Sequence, residues 1–291
     1  MDVGILDDRL PACQLGEGAY WDEPSASLYW VDIIGRSVHR CDPKTRTHRV
    51  WTVSQEVSFA YPRDGRLVLC MADGVYDFDP DTGVERPLAL LDLPRNHRLN
   101  DGKRDPEDRL WVGTINTAEN PSATAALYAF RNERLEEVEG GYENANGKVW
   151  SPDGRIMYHA DTARNTIWQY EYDIETGSAS RKRVFVRTGE LSPDGLCLDG
   201  DGNIIAAMFG GSCLQVYSPR GDLIVRIDLP IPNPTSCAIS GDTLFVTTAF
   251  DGLDDEQRRT FPLSGQVLFV KPYGDCPARR WIAESQMRGR R

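Results

Sequence analysis

Long apolar runs and a basic leader are absent from this sequence. No stretch approaches the about 18 consecutive apolar residues of a membrane-spanning helix, and the first residues, MDVGILDDRLPACQ, are acidic. We therefore expect a soluble, uncleaved protein with no membrane partner. The 291 residues carry a net charge of −11 without a long block of Lys or Arg. Nucleic acid is not an expected partner, because a polyphosphate would meet a mostly repulsive field.

Paired cysteines and the common catalytic motifs are also missing. The seven Cys are scattered and odd in number, and none forms a CxxC pair, which argues against a disulfide framework and a zinc–thiolate site. This usage is typical of a reducing cytoplasm, where we expect the protein to reside. The sequence has no GxSxG elbow, no Walker A loop and no GxGxxG before a helix. A serine hydrolase or a nucleotide-binding enzyme is therefore not expected.

The sequence does contain one unit that recurs six times. Each copy has a turn rich in Asp, Gly, Pro or Ser, then a short β-rich run, then a third segment of β-branched and aromatic residues. Successive copies are 39, 43, 46, 48 and 40 residues apart when they are aligned on the first apolar residue after the turn. Those anchors are Leu28, Leu67, Leu110, Ile156, Ile204 and Leu244.

This spacing matches the roughly 40 to 50 residues that a four-stranded propeller blade needs. It predicts an all-β protein, a six-bladed β-propeller of four-stranded antiparallel sheets, in a single domain over 1–291. A barrel of short hairpins is the alternative, but it does not explain the long period. We expect the residues before Leu15 to supply the outer strand of the last blade and so to close the ring.

Equivalent positions of the repeats predict one axial site. The first strand of each blade lines the central channel, so residues about ten before each anchor should converge at one mouth. Five of the six positions carry a side-chain oxygen, and blade two has Val57 beside Ser58. The five are Glu17, Asn100, Asn146, Asp194 and Thr235.

Such a set of buried polar groups is costly unless something neutralises it. A divalent cation would do so, and a set of oxygen ligands without His or Cys favours a hard or borderline ion over a His-rich zinc site. The alternative interpretation is that each Asn-Gly or Asp-Gly is only a turn.

Five ordered segments resemble the SMP-30/gluconolactonase/regucalcin-like family of sugar lactonases. The segments are LGEGAYW (15–21), RLNDGKRDPEDRLWVGT (98–114), NGKVWSPDGRIMYHADT (146–162), SPDGLCLDGDGNI (192–204) and PNPTSCAI (232–239). They span nearly the whole chain. Members of the family are six-bladed propellers with one axial divalent metal, and they hydrolyse aldonolactones. The resemblance therefore implies a lactonase of pentose or hexose oxidation, whose partner is a small sugar lactone and which is a monomer or a weak homo-oligomer.

The resemblance also implies a ligand set. Glu17, Asn146 and Asp194 look like the metal ligands, with Asn100 lining the site. The oxygen ligands admit Ca²⁺, Zn²⁺, Mn²⁺, Mg²⁺ or Fe²⁺. Asp194 is the expected general base, because it would bind the metal or stand beside the attacking water.

A second group is expected to contact the substrate. Arg98, Asn100 and Asp101 resemble the substrate-binding group of the family. The family often has an acidic residue in the following loop, where this sequence has Ala118 with Glu119 one place on. We take Glu119 as the corresponding candidate. Two other interpretations stay open: a metal-dependent organophosphate esterase, and a propeller that binds calcium or a peptide without catalysis.

Overall fold

Six four-stranded antiparallel sheets make up the computed structural model, which describes residues 2–271. In five of the sheets the four strands are consecutive in the chain, so each sheet is a simple meander. The innermost strands of neighbouring sheets contact each other around a closed ring. The prediction of an all-β, six-bladed β-propeller is confirmed. Within the described residues, no helix has the length and apolar character needed to cross a membrane.

The chain begins with β1 (Asp2–Ile5), which belongs to the sixth blade. Blade one contains β2 (Gly16–Asp22), β3 (Ser27–Asp32), β4 (Ser37–Asp42) and β5 (Thr47–Thr52). Blade two contains β6 (Val57–Arg63), β7 (Arg66–Met71), β8 (Gly74–Phe78) and β9 (Glu85–Leu90). Blade three contains β10 (His97–Arg104), β11 (Leu110–Asn116), β12 (Ala125–Arg131) and β13 (Arg134–Tyr142).

Blade four contains β14 (Ala145–Trp150), β15 (Ile156–Asp161), β16 (Thr166–Asp173) and β17 (Ser178–Arg187), with a 3₁₀ turn at Thr162–Arg164. Blade five contains β18 (Ser192–Leu198), β19 (Ile204–Phe209), β20 (Cys213–Tyr217) and β21 (Leu223–Asp228). Blade six contains β22 (Pro234–Ser240), β23 (Thr243–Thr248) and β24 (Leu268–Lys271), with the helix α1 (Asp255–Thr260) between the last two strands.

The N-terminal strand is the outer strand of blade six. Strand β1 pairs antiparallel with β24, from Asp2 opposite Lys271 to Ile5 opposite Leu268. The sheet order is β1-β24-β23-β22, so the two ends of the described chain share one sheet. The edge that β24 would otherwise expose is covered by this pairing.

The apolar anchors of the repeat all fall at the same place in the blades. Each is the first or second residue of its blade's second strand: β3, β7, β11, β15, β19 and β23. The side chains that follow them fill six apolar clusters, one between each pair of adjacent blades. In one of these clusters Phe59 and Val68 of blade two pack against Leu99 and Val112 of blade three. The core is therefore divided into wedges between the sheets, and each blade depends on both of its neighbours.

Every innermost strand contains a β-bulge at the same level. The breaks in pairing register lie between Glu17 and Tyr20, Val57 and Phe59, Leu99 and Gly102, Ala145 and Lys148, Pro193 and Leu196, and Pro234 and Ser236. A bulge leaves one residue unpaired and turns its side chain away from the regular alternation. The Asn-Gly at 146 and the Asp-Gly at 194 lie in these bulges and not in hairpin turns. The alternative interpretation of these dipeptides as turns is therefore wrong.

Blade three approaches blade four closely at Gly113. This residue lies opposite the bulge formed by Asn100 and Asp101. A methyl group on Gly113 would stand 2.0 Å from the carbonyl oxygen of Ala145, which directly precedes Asn146. The absence of a side chain at this position therefore allows the inner strand of blade four to sit where it does.

We expect the substitution Gly113→Ala to lower the free energy of unfolding by about 1–3 kcal/mol, because backbone rather than a flexible side chain would have to move. Urea denaturation followed by tryptophan fluorescence measures the change. Gly140→Ala on β13 is the matched control, because its added methyl would meet only the end of the Glu137 side chain, at 3.0 Å. Equal losses in the two variants would contradict this account of the interface.

Candidate active site at the propeller axis

Three of the predicted axial side chains form one buried cluster. Glu17 of β2, Asn146 of β14 and Asp194 of β18 are 7%, 3% and 4% exposed. The pKa of the Asp194 carboxyl is affected by both Glu17 and Asn146, so the three side chains lie close together. Residues from blades one, four and five therefore meet at the axis, although 177 positions separate Glu17 from Asp194 in the chain.

The cluster contains acceptor oxygens that no group of the described chain satisfies. Asn146 Oδ1 and Asp194 Oδ1 are both buried without a hydrogen-bond partner among residues 2–271. The other end of the Asn146 amide is held, since Nδ2 donates to Thr162 Oγ1 at 3.1 Å. Thr162 in turn donates to the carbonyl oxygen of Pro193 at 2.8 Å. The amide is thus tied to blade five, and unsatisfied buried acceptors of this kind are unusual unless an ion or water completes them.

The donor set fits a divalent cation. Two carboxylates and one amide oxygen are ligands that hard and borderline cations accept. No group of three or more His, Cys, Asp or Glu that could hold a metal occurs between residues 2 and 271. That finding agrees with this set, because its third oxygen donor is an amide.

The pKa shifts of Glu17 and Asp194 also favour a bound cation. Burial raises the pKa of Glu17 to about 8, and the nearby Asp101 adds to the effect. The Gly18 amide, which donates to Glu17 Oε2 at 3.0 Å, and Arg98 oppose it. Burial and the Glu17 charge likewise raise the pKa of Asp194 well above its ordinary value. A dication would favour the ionised form of both groups.

Arg98 and Asn100 stand together beside the acids. Arg98 Nη1 donates to Asn100 Oδ1 at 2.9 Å and to the Leu99 carbonyl oxygen at 3.0 Å. Asn100 Nδ2 donates to Asn144 Oδ1 at 2.7 Å. The Asn100 amide is therefore oriented at both ends by protein groups. Within residues 2–271 the remaining terminal nitrogen of Arg98, Nη2, has no hydrogen-bond partner, so it is free to donate to a ligand.

Asp101 forms an ion pair with a buried lysine of the neighbouring blade. Its carboxylate accepts from Lys148 Nζ at 2.8 Å, and the same ammonium donates to the Asp101 carbonyl oxygen at 2.7 Å. Lys148 is completely buried, and burial lowers its pKa while Asp101 opposes the shift. Asp101 is therefore part of a buried ion pair, and its contact with substrate stays a prediction.

Two further predicted positions lie outside the cluster of acids. Thr235 is buried, and its hydroxyl donates to the Gly16 carbonyl oxygen and bonds to Thr247 Oγ1, so it joins blades six and one. Glu119 is exposed in the loop after β11. In the part of the chain that the structure describes, no hydrogen bond or ion pair joins Glu119 to the axial residues, and its role stays a prediction.

Three charged residues near the site were missed by sequence reasoning. Lys148 lies in the NGK segment, where its position two residues after Asn146 on an inner strand was the available signal. Glu56 directly precedes β6 and pairs with Arg98 Nε at 3.1 Å. Asp251 follows β23 and acts on Arg98 through its charge. Neither of these two loop residues has a distinguishing sequence pattern.

The fold and the site define a six-bladed propeller with an oxygen-lined centre at its axis. Residues 15–250 match the family described as SMP-30/Gluconolactonase/LRE-like region. The chain belongs to this family, and the resemblance inferred from its motifs is confirmed.

Individual relatives extend over most of the chain. Pentonolactonase XacC of Haloferax volcanii is 34% identical over 247 residues, which cover 82% of each chain. The 6-deoxy-6-sulfogluconolactonase of Pseudomonas putida is 30% identical over 264 residues, 88% of this chain and 91% of that protein. Among solved structures, the calcium-binding protein regucalcin of Agrobacterium tumefaciens superposes with a TM-score of 0.86 and 28% identity, covering 91% of this chain and 92% of the other.

The unsatisfied oxygens predict a metal-binding phenotype. We expect Asn146→Ala and Asp194→Asn each to weaken the binding of Mn²⁺ or Ca²⁺ at least about tenfold, or about 1.4 kcal/mol, because the first removes a donor oxygen and the second removes the negative charge of a ligand. Isothermal titration calorimetry on protein freed of metal by chelation measures the affinity.

Asp153→Asn is the matched control for that experiment. Asp153 is an exposed acid in the β14–β15 turn, at the other end of the strand that carries Asn146. We expect its substitution to leave the metal affinity within about twofold. A loss in this variant as large as that in Asp194→Asn would show that the metal binds elsewhere.

Proposed function

We propose that this protein is a divalent-cation-dependent lactonase that opens aldonolactones to aldonic acids. The observation that carries the proposal is the buried set of Glu17, Asn146 and Asp194, with two unsatisfied oxygens beside the Arg98–Asn100 pair. The names of the family relatives support the reaction class, since a pentonolactonase and a sulfogluconolactonase are among them. The chain is a lactone-hydrolysing enzyme, and the dependence on metal and the sugar class are our inference.

Glu17, Asn146 and Asp194 would hold the cation. A divalent cation at this place supplies Lewis-acid polarisation of the lactone carbonyl and lowers the pKa of a nearby water. The oxygen ligands accept Ca²⁺, Mg²⁺, Mn²⁺, Fe²⁺ or Zn²⁺. The calcium-binding regucalcin of Agrobacterium tumefaciens supports calcium as one candidate.

Arg98 and Asn100 orient the substrate. The free Nη2 of Arg98 donates to a hydroxyl or carbonyl oxygen of the lactone, while its other nitrogens are held by Asn100, Leu99 and Glu56. A guanidinium fixed in this way loses little side-chain entropy when it binds. The polar character of this wall favours a sugar over the apolar esters of an organophosphate hydrolase.

Asp194 is the general base. It accepts a proton from the water that attacks the lactone carbonyl carbon. The ring C–O bond then breaks, the departing ring oxygen takes the proton from Asp194 and becomes a hydroxyl, and the product is a carboxylic acid. The burial of Asp194 keeps bulk water away from this step.

The residues in this scheme come from one chain, so the proposal requires no second subunit. The six described cysteines are free and buried, as is usual in a reducing cytoplasm, and we place the enzyme there. Oxidation of a pentose or hexose is the class of reaction that would supply its lactone.

Loss of the base should abolish the reaction. We expect Asp194→Ala to lower kcat/KM by about 10³-fold or more, because it removes both a ligand and the proton acceptor. The measurement is a proton-release assay over a panel of aldonolactones of five- and six-membered rings, on chelated protein reloaded with each cation in turn. Asp153→Asn serves again as the control, with expected wild-type activity. Full activity of the Asp194→Ala variant would refute the assignment.

A further inference from the structure

A half-buried acid, Glu56, forms an ion pair with the buried Arg98. Glu56 Oε2 lies 3.1 Å from Arg98 Nε, and the two side chains are 38% and 11% exposed. Glu56 directly precedes the inner strand of blade two, one residue before the position equivalent to the axial ligands. Its carboxylate therefore keeps contact with solvent while it pairs with an arginine of the candidate site.

The charged groups around Arg98 are mostly negative. Four carboxylates act on its guanidinium: Glu56, Glu17, Asp194 and Asp251. Glu17 and Asp194 are the ones that a bound dication would offset. Arg98 is then left facing two acids, since Asp101 is already neutralised by Lys148. The position of Asp251 is fixed by Gln14, whose Nε2 donates to its carboxylate at 3.0 Å.

We propose that Glu56 selects ligands by charge, so that the site accepts uncharged lactones and disfavours anionic ones, including the aldonate product. The inference rests on the proposed function, because it concerns the substrate and product of that reaction. Hydrolysis turns a neutral ester into a carboxylate within the site. The new negative charge appears beside the groups that held the lactone carbonyl.

Without Glu56 the product would have a strong partner. A guanidinium without a competing acid binds a carboxylate through charge-assisted and often bidentate hydrogen bonds. Glu56 occupies the Nε edge of Arg98 and adds a like charge close to the carboxylate of the product. At the effective dielectric of a protein surface, one unit charge several ångströms away changes affinity by about tenfold. The ion pair therefore favours release of the aldonate while Nη2 remains available to a neutral oxygen.

The test is the variant Glu56→Gln, which keeps the size and one acceptor of the side chain and removes its charge. We expect its affinity for D-gluconate, measured by calorimetry on the calcium-loaded protein, to rise about tenfold over wild type. We expect the ratio of kcat/KM for 6-phospho-D-glucono-1,5-lactone to that for D-glucono-1,5-lactone to rise by a similar factor. Both effects should shrink at high salt, because the charges lie near the surface.

Glu190→Gln is the matched control. Glu190 is an exposed acid in the loop that leads into β18, and Ser192, at the start of that strand, lies two residues before Asp194. Its substitution removes the same charge without touching Arg98, and we expect gluconate affinity within about twofold of wild type. A tenfold rise in this variant as well would mean that general surface charge, not Glu56, sets the preference.

Two results would overturn the inference and leave the proposed function standing. One is unchanged gluconate affinity in Glu56→Gln while wild type and variant hydrolyse neutral lactones. The other is a parallel loss of activity on neutral and anionic lactones without tighter gluconate binding, which would make Glu56 a positioning residue for Arg98. If wild type hydrolyses no lactone in the panel, the proposed function fails. The gluconate measurement still decides whether Glu56 repels carboxylates.

Discussion

Two carboxylates buried side by side at the axis are the constraint on which the rest of this structure depends. Glu17 and Asp194 come from different blades, and each is surrounded by protein rather than water. Such a pair repels itself and is poorly solvated, so it is stable only with protons or a cation between its members. The unsatisfied oxygens of Asn146 and Asp194 favour the cation. A cation bound between these two acids would account for their burial and for the unsatisfied oxygens beside them.

The protein treats its other acids differently. Asp101 is neutralised from within by Lys148, a lysine with no exposure to solvent. Arg98 is balanced from outside by Glu56, which keeps contact with solvent. The acids near the axis therefore fall into two classes, those paired with a basic side chain of the protein and those, Glu17 and Asp194, without such a pair among the described residues. Asp101 and Arg98 are thus paired within the protein, whereas the charges of Glu17 and Asp194 have no such side-chain partner in the part of the chain that the structure describes.

The β-bulges explain how a sheet can present such a centre. In regular strands alternate side chains enter the apolar wedges between blades, and a polar residue in the wrong phase would be buried without a partner. A bulge in each inner strand changes that phase once, at the same level in all six blades. At this level the inner strands of neighbouring blades lie very close together. A methyl group on Gly147 would lie 2.3 Å from the Asp194 carbonyl oxygen, so the residue after Asn146 must be small.

The sequence alone predicts the six blades, because each repeat is a local meander whose turn and apolar run recur with a steady period. It also predicts that Glu17, Asn146 and Asp194 are equivalent in the ring, since equivalence depends only on counting. It does not predict which polar residues at that level face one another. Thr235 satisfies every counting rule, yet its hydroxyl is used between blades six and one.

The pairing of charges is decided by tertiary structure. Lys148 and Asp101 are 47 positions apart, and Glu56 and Arg98 are 42 apart, so no local pattern connects them. Whether a lysine on an inner strand is buried or exposed depends on the bulge and on the carboxylate opposite, which belong to another blade. Local periodicity therefore determined the architecture and the candidate ligands. The partners of the charged side chains were determined only by the tertiary structure of the closed ring. Electrostatic interactions depend on distance in space rather than on separation along the chain.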